Sequence, residues 1–187
     1  MRLPEKITTT GLQLLARLGI PKFQYELARR YYVGGSLPRD AGSTLKWCEP
    51  AAIRGYAPAE VLMGQLHVNG FGVACDQYEI VKWFQRAANH GDASGIHQLA
   101  WCYEQGIGVL ASPQHAFRLW LNAASLGLPN SQLAVAGCFF RGAGTARNVL
   151  KAQLWCRQAI KNGAESRANA LLNKIEADLR APLAFGE

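Results

Sequence analysis

The sequence has no run of about eighteen apolar residues, which excludes a membrane-spanning helix and any membrane insertion through one. Its opening, MRLPEKITTTGLQLLARLGIPK, starts basic but has neither an apolar stretch long enough for a signal peptide nor a small-residue cleavage site. Taking the first methionine as the native start, the cytoplasm is the expected location. There is no His-Glu-x-x-His pattern, no Cys-x-x-Cys pair and no close pair of carboxylates. The usual signatures of zinc chemistry and of paired acid–base catalysis are therefore missing, and neither a metal nor a cofactor is expected. His97 and Cys102 are five apart, the wrong spacing for one helix face, where neighbours stand three or four apart. A continuous basic stripe is also absent. The net charge of +7 is uneven: residues 1–22 and both outer repeats described below are positive, and the middle is neutral or acidic. Nucleic acid is not an expected partner. The five cysteines are an odd number without an export signal, which favours reduced thiols.

What is present is repetition. Shifted by 36 residues, the chain superimposes Gly55, Gly91, Gly127 and Gly163. A second column holds Gly34, Gly70, Gly106 and Gly142, and a third Leu27, Met63, Leu99 and Val135. A fourth holds Tyr31, His67, Tyr103 and Phe139, and no gap is needed from Phe23 to Ser166. A fixed period of this length signifies a solenoid. Each unit reads as helix, loop, helix. The first helix, A, has apolar residues four apart and runs about ten residues before its closing glycine. The loops GGSL, GFGV, GIGV and GAGT join two helices and do not open a strand-to-helix phosphate turn. Asp40, Asp76, Ser112 and Asn148 stand where the second helix, B, begins, and all four are N-cap residue types. Helix B carries Trp47, Trp83, Trp120 and Trp155, which the phase assigns to the core, then a small pair such as Ala87-Ala88 that lets helices approach closely. Cys102 shares a column with Cys138, and Cys48 shares one with Phe84, Trp120 and Cys156, so these thiols read as packing groups. His67 replaces the tyrosine of its column and reads as a packed, hydrogen-bonded histidine; His90, at a helix exit, suits the negative end of the dipole.

These columns resemble the Sel-like repeat family, relatives of the tetratricopeptide repeats. Residues 59–94 carry its hallmark as Ala59, Met63-Gly64, His67, Gly70, Gly72-Val73, Asp76, Trp83, Ala87-Ala88 and Gly91. Four units follow: 23–58, 59–94, 95–130 and 131–166. Ser36, Leu119 with Trp120, Thr145 and Asn148 depart from the pattern. Residues 1–22 read as a leading helix B without its helix A, and 167–187 as a closing helix A with Leu171 and Ile175 inward, followed by the short, frayed APLAFGE.

The resemblance implies an all-α fold, a right-handed α-solenoid of antiparallel helix hairpins with a concave wall lined by the A helices. It also implies which positions face a ligand. Carried onto this chain they include Tyr25, Arg29, Tyr32, Gln65, Asn69, His97, Trp101, Glu104, Gln105, Phe140 and Arg141. These columns change from unit to unit, whereas the packing columns do not. The implied function is a bacterial, non-enzymatic adaptor or scaffold that takes a peptide or partner helix in this groove. The alternatives are binding of a small ligand or glycan, or β-lactam hydrolysis, to which a few family members have been linked. Secreted members staple helix pairs with disulfides, which would place Cys138 and Cys156 as a pair. An exposed edge with Leu12, Leu15 and Ile20 suggests self-association through the N-terminal helix.

Overall fold

The computed structural model describes residues 8–180, and among them it contains ten α-helices and no strand. The expectations for the first seven residues and for APLAFGE lie outside the described residues. The chain divides into two compact units, one ending at Gln98 and the other beginning at Leu99, with the division falling inside one helix. None of the described helices is long and apolar enough to cross a membrane.

The first unit holds α1 (Thr9–Arg17), α2 (Pro21–Val33), α3 (Ala41–Ile53), α4 (Ala57–Asn69), α5 (Gln77–Asn89) and the start of α6 (Ala93–Gln105). The second holds the rest of α6, then α7 (Pro113–Ser125), α8 (Pro129–Arg141), α9 (Val149–Lys161) and α10 (Glu165–Arg180). From α2 to α9 each helix has thirteen residues, three more than the apolar spacing suggested for helix A. The extra turn lies at the N-terminus, where a proline in α2, α4 and α8 occupies a first-turn position that needs no N–H.

The B helices start where their caps are. Asp40 Oδ2 accepts from Ser43 N at 2.7 Å, Ser112 Oγ from His115 N at 3.3 Å and Asn148 Oδ1 from Lys151 N at 2.9 Å. Asp76 Oδ1 takes two donors, Tyr78 N at 2.8 Å and Glu79 N at 3.4 Å. Replacing Asp76 with alanine is expected to cost about 1 kcal/mol of stability in urea unfolding, and Asp76→Asn much less, because the amide oxygen still caps.

In the first unit the leading helix α1 buries Leu12 and Ala16 against Leu27, while Ala28, Cys48, Ala51, Ala52, Leu62, Met63, Leu66 and Trp83 form the main core. Gly64 sets the spacing of α4 and α5: a Cβ there would fall 2.4 Å from a ring carbon of Phe84. In the second unit the core is built from Trp120, Val135, Ala136, Cys138, Phe139, Cys156 and Ile175, with Leu171 half-buried beside it. The assignment of all four helix-B tryptophans to the core needs correction. Trp83 and Trp120 are buried, but Trp47 and Trp155 are only half-buried. The column buried in every unit is the adjacent one, Cys48, Phe84, Trp120 and Cys156. Of the edge expected to self-associate, Ile20 is exposed and Leu15 half-buried, but Leu12 needs correction. Leu12 is 0% exposed because it and Ala16, four apart, form the inward stripe of α1; Leu14 and Leu18 are the outward leucines, at 63% and 68%.

Candidate functional site

The residues expected to face a partner all lie at or near the surface of their own unit, and none is fully buried. In the first unit, Tyr25 packs its ring on Tyr56 at 5.6 Å, and burial raises its hydroxyl pKa. Arg29 is exposed and its guanidinium grips Glu26 through two bonds, at 3.0 and 2.9 Å. Burial pushes the Glu26 carboxyl up, but Arg29 and Arg30 outweigh it and hold it below its ordinary value. Tyr32 and Asn69 are brought together, since the Asn69 amide donates to the Tyr32 hydroxyl at 2.8 Å. Gln65 and His97 are half-buried.

In the second unit, Trp101 and Phe140 are half-buried and Gln105 and Arg141 exposed. The Gln105 amide donates to Glu104 at 3.2 Å. The Arg141 guanidinium lies over Gly137, 3.0 Å from where a Cβ would stand. Two of the expected aromatics serve internal contacts as well. Arg39 Nε donates to the Tyr32 carbonyl at 3.2 Å and its guanidinium stands 4.5 Å over the Phe71 ring. Arg147 repeats this in the second unit, donating to the Phe140 carbonyl at 3.0 Å, lying over that ring and pairing with Asp178. The two arginines share one repeat column, which holds Cys75 and Ala111 in the middle units.

Sequence reasoning missed a buried carboxylate and its two partners. Glu60 is fully buried in α4, with Arg86 Nε donating to it at 3.0 Å and His90 Nδ1 at 2.8 Å from its other oxygen. The Arg86 guanidinium also donates to the carbonyls of Ala52 and Ile53. The available signal was pairing at thirty residues, from the first turn of helix A to the end of helix B. The same spacing gives Gln132 with Asn162, bonded at 3.0 Å. His67 is half-buried and its Nδ1 lies 3.0 Å from the Ala74 carbonyl, the hydrogen-bonded role expected of it.

All five cysteines are free thiols, including Cys138 and Cys156. Burial raises the Cys48 and Cys102 thiols to about 12 and those of Cys138 and Cys156 to about 11; only Cys75 is exposed. One thiol per chain is therefore expected to react with an aromatic disulfide reagent under native conditions, and all five after unfolding. Fewer than five in the unfolded, unreduced chain would reveal a disulfide. No group of three or more metal-binding side chains occurs among the described residues.

A family model described as the Sel1 repeat matches residues 21–56, 57–92, 93–128 and 129–163. Among solved structures, a Sel1 repeat protein from Oxalobacter formigenes is similar at 30% identity and a TM-score of 0.79, over 85% of this chain and 63% of that one. A protective antigen of uropathogenic Escherichia coli displaying an SLR fold is similar at 30% identity and a TM-score of 0.77, over 84% of this chain and 34% of that one. The chain thus spans less than two thirds of the length of either relative. Cysteine rich protein B of Helicobacter pylori shares the fold at 20% identity and a TM-score of 0.56, over 69% of this chain and 98% of that one. No curated protein matches the sequence.

Proposed function

We propose, from the premise that this chain belongs to the Sel1 repeat family, that it is a non-enzymatic adaptor whose helix-A faces hold a peptide or a helix of another protein. Proteins built from these repeats generally mediate protein–protein interaction. The observation that carries the reading is the contrast between columns. Leu27, Met63, Leu99 and Val135 stay apolar from unit to unit and are buried. The neighbouring columns change from Arg29 to Gln65 to Trp101, and those side chains reach the surface. Aromatic and arginine side chains with this access are the ones that dominate interfaces. Tyr25, Tyr32, Trp101 and Phe140 supply area, and Arg29, Gln65, Asn69, His97, Glu104, Gln105 and Arg141 supply directional bonds.

The test is capture of a partner by the native chain and its identification by mass spectrometry, followed by comparison with variants. Trp101→Ala with Arg141→Ala is the primary variant, because Trp101 is only half-buried and Arg141 is exposed. Trp101→Ala with Tyr32→Ala is the second, read with its circular dichroism because Tyr32 also holds Asn69. Loss of capture with native helicity supports the reading; full capture by both variants refutes it.

A further inference from the structure

The side chains that close α3 and α5 fill the space over Gly19 and Gly55, whereas the space over Gly127, before α9, is open. Arg54, at the end of α3, donates to the Gly19 carbonyl, and a Cβ on Gly19 would stand 3.0 Å from its guanidinium. One repeat later His90 stands over Gly55, 3.2 Å from where a Cβ would be. Arg86 donates to the last-turn carbonyls of α3, Ala52 O at 3.1 Å and Ile53 O at 3.4 Å. A helix end leaves such carbonyls without intrahelical donors and carries partial negative charge, and a guanidinium answers both.

Two repeats further along, the columns of Arg86 and His90 hold Gln158 and Asn162. Asn162 donates to Gln132, whose own amide donates to Ala124 O. Nothing lies within 4 Å of a Cβ on Gly127. What remains is a cleft of ≈ 720 Å³, walled on one side by Ala124, Ser125 and Gly127 and on the other by Trp155 and Gln158. Its size falls in the range of roughly 300–1,000 Å³ typical of ligand sites. Ser125 is the counterpart of Ile53, and four residues beyond it stands Pro129, which has no N–H with which to continue the helix bond. At the rim Arg157 and Lys161 are exposed, four apart on α9, where like charges repel. Neither has an ion-pair partner among the described residues.

We propose that this cleft binds a guanidinium joined to a carboxylate. The guanidinium sits over Gly127, as His90 sits over Gly55 in the first unit, and donates to the Ser125 carbonyl, whose counterpart Ile53 O accepts from Arg86, while Ala124 O already accepts from Gln132. The carboxylate sits on Arg157 and Lys161, whose charge would repel a purely cationic ligand. The ligand is arginine, either free or next to an acidic residue in a peptide. The site lies at the helix-B ends, so it stands or falls separately from the adaptor reading.

Calorimetric titration of the whole chain with L-arginine and with acetyl-Arg-Asp-amide tests this and distinguishes the two sources. At least one of them binds. L-citrulline, which lacks the charge, and agmatine, which lacks the carboxylate, bind weaker by about tenfold or more, as loss of a charge-assisted pair requires. Gln158→Arg supplies the plug internally and abolishes binding. Arg157→Ala with Lys161→Ala, both exposed side chains, removes the preference for arginine over agmatine, with helicity read by circular dichroism. No binding of either arginine probe at millimolar concentration, equal binding of citrulline, or full affinity in a natively helical Gln158→Arg chain overturns the proposal.

Discussion

Arg86→Ala is expected to destabilise the first unit by about 3 kcal/mol, the low end of the cost of breaking a buried ion pair. The penalty lies on Glu60, which is fully buried and would lose the guanidinium that holds one of its oxygens at 3.0 Å. His90 stays beside the other oxygen, which keeps the cost from rising further. The Ala52 and Ile53 carbonyls lose a donor at the same time. Urea unfolding followed by tryptophan fluorescence reads the total, and amide exchange in α4 and α5 locates it. Glu60→Leu combined with Arg86→Met should recover most of the loss, because removing both charges removes the burial penalty with the pair. A single-variant loss below about 1 kcal/mol, the level of an exposed salt bridge, would show that water reaches Glu60 after all.

Gly144→Ala is expected to cost about 3 kcal/mol or more. Gly144 has φ +71°, where a residue with a Cβ loses roughly 1–2 kcal/mol. The added carbon would also stand 2.1 Å from the Pro113 carbonyl oxygen and 2.5 Å from its carbon. That backbone cannot retreat freely, since Pro113 follows the Ser112 cap and opens α7. Overpacking of this kind adds roughly 1–3 kcal/mol. Gly163→Ala separates the two contributions, because Gly163 has φ +96° and open space around it. Thermal melts of the two variants side by side should show the conformational cost alone for Gly163→Ala and the larger loss for Gly144→Ala. Equal losses at the two positions would rule out the close approach.

Much of this fold was legible because it rests on local chemistry said four times over. The caps at Asp40, Asp76, Ser112 and Asn148 need only their own first turn, and each one forms its bond. The thiol columns were readable for the same reason, since a position that accepts Cys48, Phe84, Trp120 and Cys156 alike can only be interior. The first turn of each A helix was harder to see, because it is neither apolar nor marked by a side-chain cap in α2, α4 or α8. Trp47 and Trp155 show the limit of phase: one helix face is wide enough that its flank is half-exposed. Glu60 was hidden in another way. Its two partners come from the far end of the next helix, so no window around it reveals that a carboxylate can be buried there. Among the expected partner-facing residues, surface position followed from the period, but the internal work of Tyr32 and Phe140 depended on Arg39 and Arg147 across a loop.

The unvarying thirteen-residue helices restrict how such a chain can change length. Excising Ala57 to Asp92 joins Tyr56 to Ala93, which is where Ala57 stood, and every later side chain keeps its heading. Dropping one residue from the first turn of α8 instead swings Val135 and Phe139 round by about 100°, out of the interior they now fill. Only the gain or loss of a whole hairpin therefore leaves the buried faces in register.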